Sequence, residues 1–215
     1  MNRIKLFSVI KAISVVLILP LLSGMPVACK TTTDETKKEV SILFVGNSLT
    51  YVNNLPEKVK KIAKEKGKNI KTVMLALPDY ALVDHLAEGK VQQMIATEGF
   101  THVVVQQGPS SQAEGRKLLL DGAAEFKKIC AANNAKLAFY MVWPAYQNYH
   151  HFAGVIKNYT DAATATNAIL CPVGTEWKKY IDRTGDISYY GSDQFHPSEK
   201  GTQIAAEIIY NSLFQ

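Results

Sequence analysis

The chain has 215 residues, the length of one ordinary domain with little to spare for a second. With 47% hydrophobic and 20% charged residues it sits near the globular average, which excludes long disorder, collagen-like repeats and a coiled coil. A formal charge of +5 hints at an anionic partner, but Arg3, Lys5 and Lys11 carry three of those charges with no acid before residue 29, so the balance gives no argument for nucleic acid.

The chain begins with a basic stretch, MNRIKLFSVIK, that leads into the apolar run AISVVLILPLL and then SGMPVAC. The run is interrupted by Pro20 and falls short of the roughly 20 residues a spanning helix needs, so it reads as an export signal. Val27-Ala28-Cys29 resembles a bacterial lipoprotein signal, in which small residues precede a cysteine that becomes the lipidated N-terminus. Pro26 stands where an aliphatic residue is usual, so plain secretion stays open as the alternative. KTTTDETKKE, after Cys29, is polar and without periodicity. The expected organisation is a signal peptide over 1–28, a flexible tether over 29–39 and one domain over 40–215. Contact with a membrane is expected only through Cys29.

Within the domain, strand and helix patterns alternate. VSILFVG (40–46) is a continuous apolar run, as a strand buried on both faces requires. Residues 55–67 carry Leu55, Val59 and Ile62 near helical spacing, with Pro56 early and Gly67 as a stop. A strand over 70–77 and a helix over 82–97 follow, then a β-branched strand over 101–108. An amphipathic helix over 116–133 precedes a strand over 136–143, which Pro144 stops. The remaining elements are a helix over 154–167, a strand over 168–174 and a helix over 203–214. This alternation predicts an α/β fold: a three-layer α/β/α sandwich around five parallel strands. In such sheets the chemistry collects beyond the carboxyl ends of the strands.

Two segments placed there carry the candidate chemistry. Gly46-Asn47-Ser48-Leu49-Thr50 follows the first strand directly and can present Ser48 Oγ at the top of the sheet. By itself the turn also suits an ordinary N-capping serine. Gly191-Ser192-Asp193-Gln194-Phe195-His196-Pro197 lies just before the last helix. An acid three residues ahead of a histidine lets one loop supply both an orienting carboxylate, Asp193, and a general base, His196. By itself that segment also suits a capped helix start, with Ser198 as the N-cap.

Together the two segments resemble the SGNH, or GDSL-type, hydrolases, which place a serine block near the N-terminus of the domain and D-x-x-H near its C-terminus. GNSLT, Trp143-Pro144 and PVGTEW (172–177) are similar to esterases of carbohydrate-degrading anaerobes. The resemblance spans about residues 40–215 and implies Ser48, Asp193 and His196 as catalytic residues, without metal or cofactor. Two blocks depart from the family pattern. The loop that usually offers a glycine N–H to the oxyanion reads Leu77-Pro78-Asp79-Tyr80-Ala81, which leaves Asp79 N–H for that role. The usual G-x-N-D reads Gly108-Pro109-Ser110-Ser111, so the missing amide donor is sought in Gln106 or Gln107, with Gln106 favoured. Ser48 N–H completes the expected oxyanion hole.

Other residues have competing readings. Asn47 and Trp143 are candidate substrate contacts; Trp143 with Tyr146 and Tyr149 suits either an aromatic wall or, for Trp143, the core. His85 suits either an approach to the site or a structural hydrogen bond. Cys130 and Cys171 read as small buried apolar residues, and His150-His151 as surface residues without metal-ligand spacing. Asn158-Tyr159-Thr160 matches a glycosylation sequon, which a bacterial-looking signal makes uninformative. The implied function is hydrolysis of esters, chiefly acetyl groups on carbohydrate, through an acyl-serine intermediate. The alternatives are a lipase or lysophospholipase of the same fold, and a non-catalytic cell-surface carbohydrate-binding protein, for which the two altered blocks argue.

Overall fold

A computed structural model describes residues 39–215, so the expected signal, the tether and Cys29 lie outside the described residues. The five strands are β1 (Val40–Gly46), β2 (Ile70–Ala76), β3 (His102–Val105), β4 (Lys136–Tyr140) and β5 (Ile169–Cys171). They pair in parallel in the order β2-β1-β3-β4-β5, with Ile42 opposite His102 and His102 opposite Lys136. The helices are α1 (Ser48–Tyr51), α2 (Leu55–Glu65), α3 (Leu82–Glu88), α4 (Lys90–Glu98), α5 (Ala113–Ala132), α6 (Phe152–Thr166), α7 (Val173–Thr184) and α8 (Glu199–Phe214).

Parallel strands require crossovers, and right-handed crossovers decide which face each helix covers. The chain moves one way from β1 to β2 and the other way from β2 to β3, β4 and β5. Accordingly α2 packs with α8 on one face, while α3 packs on α5 and α5 on α6 on the other. The central strands are buried on both faces, which is why β1 and β3 read as unbroken apolar runs. The strand order reverses direction at β1 and β3, and a crevice opens there above their carboxyl ends.

Several elements differ from the sequence reading, and the strand expected over 136–143 ends at Tyr140, short of Pro144. The helix expected over 82–97 breaks in two at Gly89, which takes φ +74° to cap α3 and start α4. The strand expected over 168–174 ends at Cys171, and Pro172 opens α7, a helix the sequence reading did not contain. Buried Val173, Trp177 and Ile181 form its inner stripe at helical spacing. The strand expected over 101–108 stops at Val105, so Gln106 and Gln107 lie beyond it. Cys130 and Cys171 are buried free thiols, each pushed up to about 12 by desolvation.

Candidate active site

The serine turn is built from its backbone outward. Asn47 takes an extended conformation and caps α1: its Oδ1 accepts from Leu49 N–H at 3.1 Å, and its Nδ2 donates to the Tyr80 carbonyl at 3.1 Å. Gln106 Oε1 accepts both the Asn47 N–H, at 2.9 Å, and the Thr50 hydroxyl, at 2.8 Å. Gly46 makes room for this convergence, because a Cβ there would lie 2.4 Å from Gln106 Oε1 and 2.4 Å from Thr50 Oγ1. From the other side, buried His85 donates its Nε2–H to the Gly46 carbonyl at 2.8 Å. That carbonyl can only accept, so Nε2 holds the proton of the neutral ring. Burial lowers the His85 pKa and keeps it neutral. Ser48 thus opens a helix on a turn held from two sides, with its N–H unclaimed, as first-turn N–H groups are.

The second segment meets it from 148 positions downstream. His196 Nε2 lies 2.8 Å from Ser48 Oγ, and His196 Nδ1 lies 2.6 Å from Asp193 Oδ2. The other carboxylate oxygen, Oδ1, accepts from Phe195 N–H at 3.0 Å and His196 N–H at 2.9 Å. These bonds, first that to the imidazole, hold the Asp193 carboxyl below its usual range and so keep it ionised. Gln194 turns the loop with φ +57°. The loop is pinned from outside by Trp143 Nε1–H on the Phe195 carbonyl at 3.0 Å and Tyr146 N–H on the Gln194 carbonyl at 2.9 Å. Asn53 Nδ2 adds a bond to the Pro197 carbonyl at 3.0 Å. Ser198 caps α8 through Gly201 N–H, as expected.

The oxyanion side departs from the sequence reading in one respect. Asp79 takes φ +62° in the turn Leu77–Tyr80, the left-handed region that favours glycine, so the loop keeps the bend despite the altered residue. Asp79 and Ser48 line one cleft of about 300 Å³ with Tyr80, Gln107, Ser110 and Phe195. No other group among the described residues takes the Asp79 N–H. Gln106, the favoured amide donor, does not line this cleft. Its carbonyl faces the serine turn, because Asn47 N–H demands an acceptor, and its Nε2 is buried without a partner. Gln107 does line the cleft, but its Nε2 donates to Ser110 Oγ at 2.8 Å and to the Gly115 carbonyl at 3.2 Å. With two protons on that nitrogen, neither is left for an oxyanion in this arrangement.

Trp143 is also corrected: it is fully buried and stacks on Trp177 at 3.4 Å between ring centroids, so it holds the histidine loop and touches no substrate. Asn47 lines the cleft, yet both ends of its amide are committed to the turn. Tyr146 is exposed and packs edge-on to Tyr149 and Tyr190; Tyr149 donates to Asp182 at 2.6 Å. Asn158 is buried: its Nδ2 donates to the Ser110 carbonyl at 2.6 Å, and its Oδ1 accepts from Arg116 at 2.6 Å. Sequence reasoning missed Thr50, Asn53 and the Asn158–Arg116 pair as supports of the site. A larger recess, of about 440 Å³, lies between α7 and α8 and contains none of the residues above.

The sequence matches no protein-family profile and no curated protein. Solved structures do match. A Slackia heliotrinireducens protein with a provisional description as an SGNH hydrolase is 22% identical, with 81% of this chain and 99% of that one covered at a TM-score of 0.70. A lipase/acylhydrolase from Enterococcus faecalis is 14% identical, with 81% and 95% covered at 0.66. The acetyl xylan esterase AlAXEase is 14% identical, with 81% and 100% covered at 0.65. The chain has the three-layer α/β/α fold of the SGNH hydrolases.

Proposed function

We propose that the protein is a serine ester hydrolase that works through an acyl-serine intermediate. The observation that carries this reading is the unbroken chain from Ser48 Oγ through His196 to Asp193, set beside two unclaimed N–H groups. Ser48 Oγ attacks the ester carbonyl while His196 Nε2 takes its proton. Asp193 holds the proton on Nδ1 and balances the imidazolium. The oxyanion lies against the Ser48 and Asp79 N–H groups. His196 then gives the proton to the departing alcohol, and water repeats the sequence on the acyl-serine.

The finer reading is an exported enzyme, lipid-anchored at Cys29, that removes acetyl groups from carbohydrate. A cleft of about 300 Å³ beside Ser48 favours a short acyl group over a fatty chain. The fold is shared with an acetyl xylan esterase and equally with a lipase/acylhydrolase, so the cleft and not the fold carries this preference. The purified protein is expected to hydrolyse phenyl acetate, and Ser48→Ala to abolish this; equal rates for the two would remove the assignment. A phosphonate serine probe that leaves Ser48 unlabelled would instead favour a retired, carbohydrate-binding scaffold.

A further inference from the structure

The two N–H groups assigned to the oxyanion come from different loops, Ser48 beyond β1 and Asp79 beyond β2, so the spacing between them is set by tertiary contacts. Three bonds fix it. Leu77 N–H, at the entry to the Asp79 turn, donates to the Gly46 carbonyl, at the entry to the serine turn, at 3.1 Å. Asn47 Nδ2 makes the second, on the Tyr80 carbonyl at 3.1 Å. His85 Nε2–H makes the third, on the same Gly46 carbonyl at 2.8 Å, and its ring lies against Tyr80 at 5.0 Å between centroids. The helix that carries His85 is itself anchored. Leu82 N–H donates to Gln107 Oε1 at 3.3 Å, and the Leu82 side chain packs closely on Gly122 of α5. His85 therefore ties the joint between the two turns to the body of the domain.

Folding gives little reason for a histidine at this position. Its Nδ1 is buried without a partner among the described residues, a cost that an apolar ring would not carry. Without the histidine the Gly46 carbonyl would keep the Leu77 N–H, so it would not be left bare. Nor does His85 line the cleft beside Ser48, so it has no substrate to hold. What it adds is a second donor on the Gly46–Asn47 peptide. The N–H of that peptide is already held by Gln106 Oε1 at 2.9 Å, so the bond from His85 pins both of its polar ends. The next peptide carries the Ser48 N–H, and its direction follows from the one before.

We infer that His85 is a positioning residue of the oxyanion hole. By holding the Gly46 carbonyl where the Leu77 N–H also meets it, His85 sets the spacing of the Ser48 and Asp79 N–H groups for a tetrahedral oxyanion. The inference rests on the reading of Ser48 as the nucleophile. Oxyanion contacts gain most of their strength as charge develops on the oxygen, so misplacing them lowers kcat and leaves KM in place.

The test compares the wild-type protein with His85→Phe, which fills the ring's place without a donor, and His85→Gln, which returns an N–H at the reach of Nε2. Phenyl acetate gives kcat and KM. Phenylboronic acid serves as the tetrahedral mimic: its boron bonds to Ser48 Oγ as the hydroxyl proton moves to His196 Nε2, and the resulting anion places an oxygen in the hole. His85→Phe is expected to lose about tenfold to hundredfold in kcat with KM within about twofold, and to weaken boronate inhibition by a similar factor. Its urea midpoint is expected to move by less than about 0.5 M, and His85→Gln to recover kcat to within about threefold of wild type. A His85→Phe kcat within about twofold of wild type overturns the inference, as does a loss carried by KM or a folded His85→Gln no faster than His85→Phe. A His85→Phe protein that unfolds shows that the fold needs the histidine, and overturns it too. Ser48→Ala separates the two readings: turnover that survives in it removes the nucleophile assignment, whereas with Ser48→Ala inactive the His85 results bear on positioning alone.

Discussion

Asp193→Asn isolates the orientation of a single proton. In the native loop, Asp193 Oδ1 is held by the N–H groups of Phe195 and His196, and Oδ2 faces His196 Nδ1 at 2.6 Å. An asparagine must keep its oxygen toward the two backbone donors, which leaves its NH₂ facing Nδ1. The imidazole can satisfy that donor only by moving its own proton to Nε2, the atom 2.8 Å from Ser48 Oγ. The base is then protonated where it should accept. A wrong tautomer of this kind costs on the order of 10⁴ in kcat, or about 5 kcal/mol of barrier. Asp193→Ala removes the carboxylate but imposes no tautomer, so it should retain more activity than Asp193→Asn at neutral pH. The assay is phenyl acetate turnover with Ser48→Ala as the blank, and thermal unfolding to show that each variant is folded. An asparagine variant that keeps more than a tenth of wild-type kcat, or that outperforms alanine, refutes the tautomer argument.

Two further expectations follow from buried groups. Gly46→Ala drives a Cβ to within 2.4 Å of Gln106 Oε1 and Thr50 Oγ1, so the bonds to Asn47 N–H and the Thr50 hydroxyl must give way. The expected loss is about 2–4 kcal/mol in urea unfolding at unchanged m, with reduced turnover; a change below about 0.5 kcal/mol would contradict the packing described. His102 is buried, and desolvation followed by the Lys136 charge lowers its pKa to about 4. It stays neutral in the fold while the unfolded chain takes up a proton below about 6.5, so its contribution is complete above that pH and is lost as pH falls toward 4. Stability of the wild type should therefore fall more steeply over this window than that of His102→Leu, by up to about 1.4 kcal/mol per pH unit; parallel curves would exclude His102 as the cause. His85, with its pKa also lowered by burial, acts in the same direction in both proteins.

Much of the architecture is local information. A strand covered on both faces needs an unbroken apolar run, and VSILFVG is one wherever it sits. Asp193 and His196 share one loop, so their pairing is readable at a spacing of three. Helix α7 carried a readable stripe in Val173, Trp177 and Ile181, but the strand reading extended to Gly174 and obscured its start. Gln106 and Gln107 failed differently. Both lie within the strand expected over 101–108, yet β3 ends at Val105, and beyond it the side chains follow their hydrogen-bond partners.

The sequence by itself determined the alternating elements through periodicity and paired Asp193 with His196 through a spacing of three, while Ser48 joined them through the family resemblance. Only the tertiary structure decided that Ser48 meets His196, that Gln106 braces the serine turn, and that Trp143 belongs to the core. Each of those depends on a partner from another segment, such as Asn47 N–H for Gln106 or Trp177 for Trp143. The same side chains could face either way until folding supplied the donor or the ring that made one orientation the stable one.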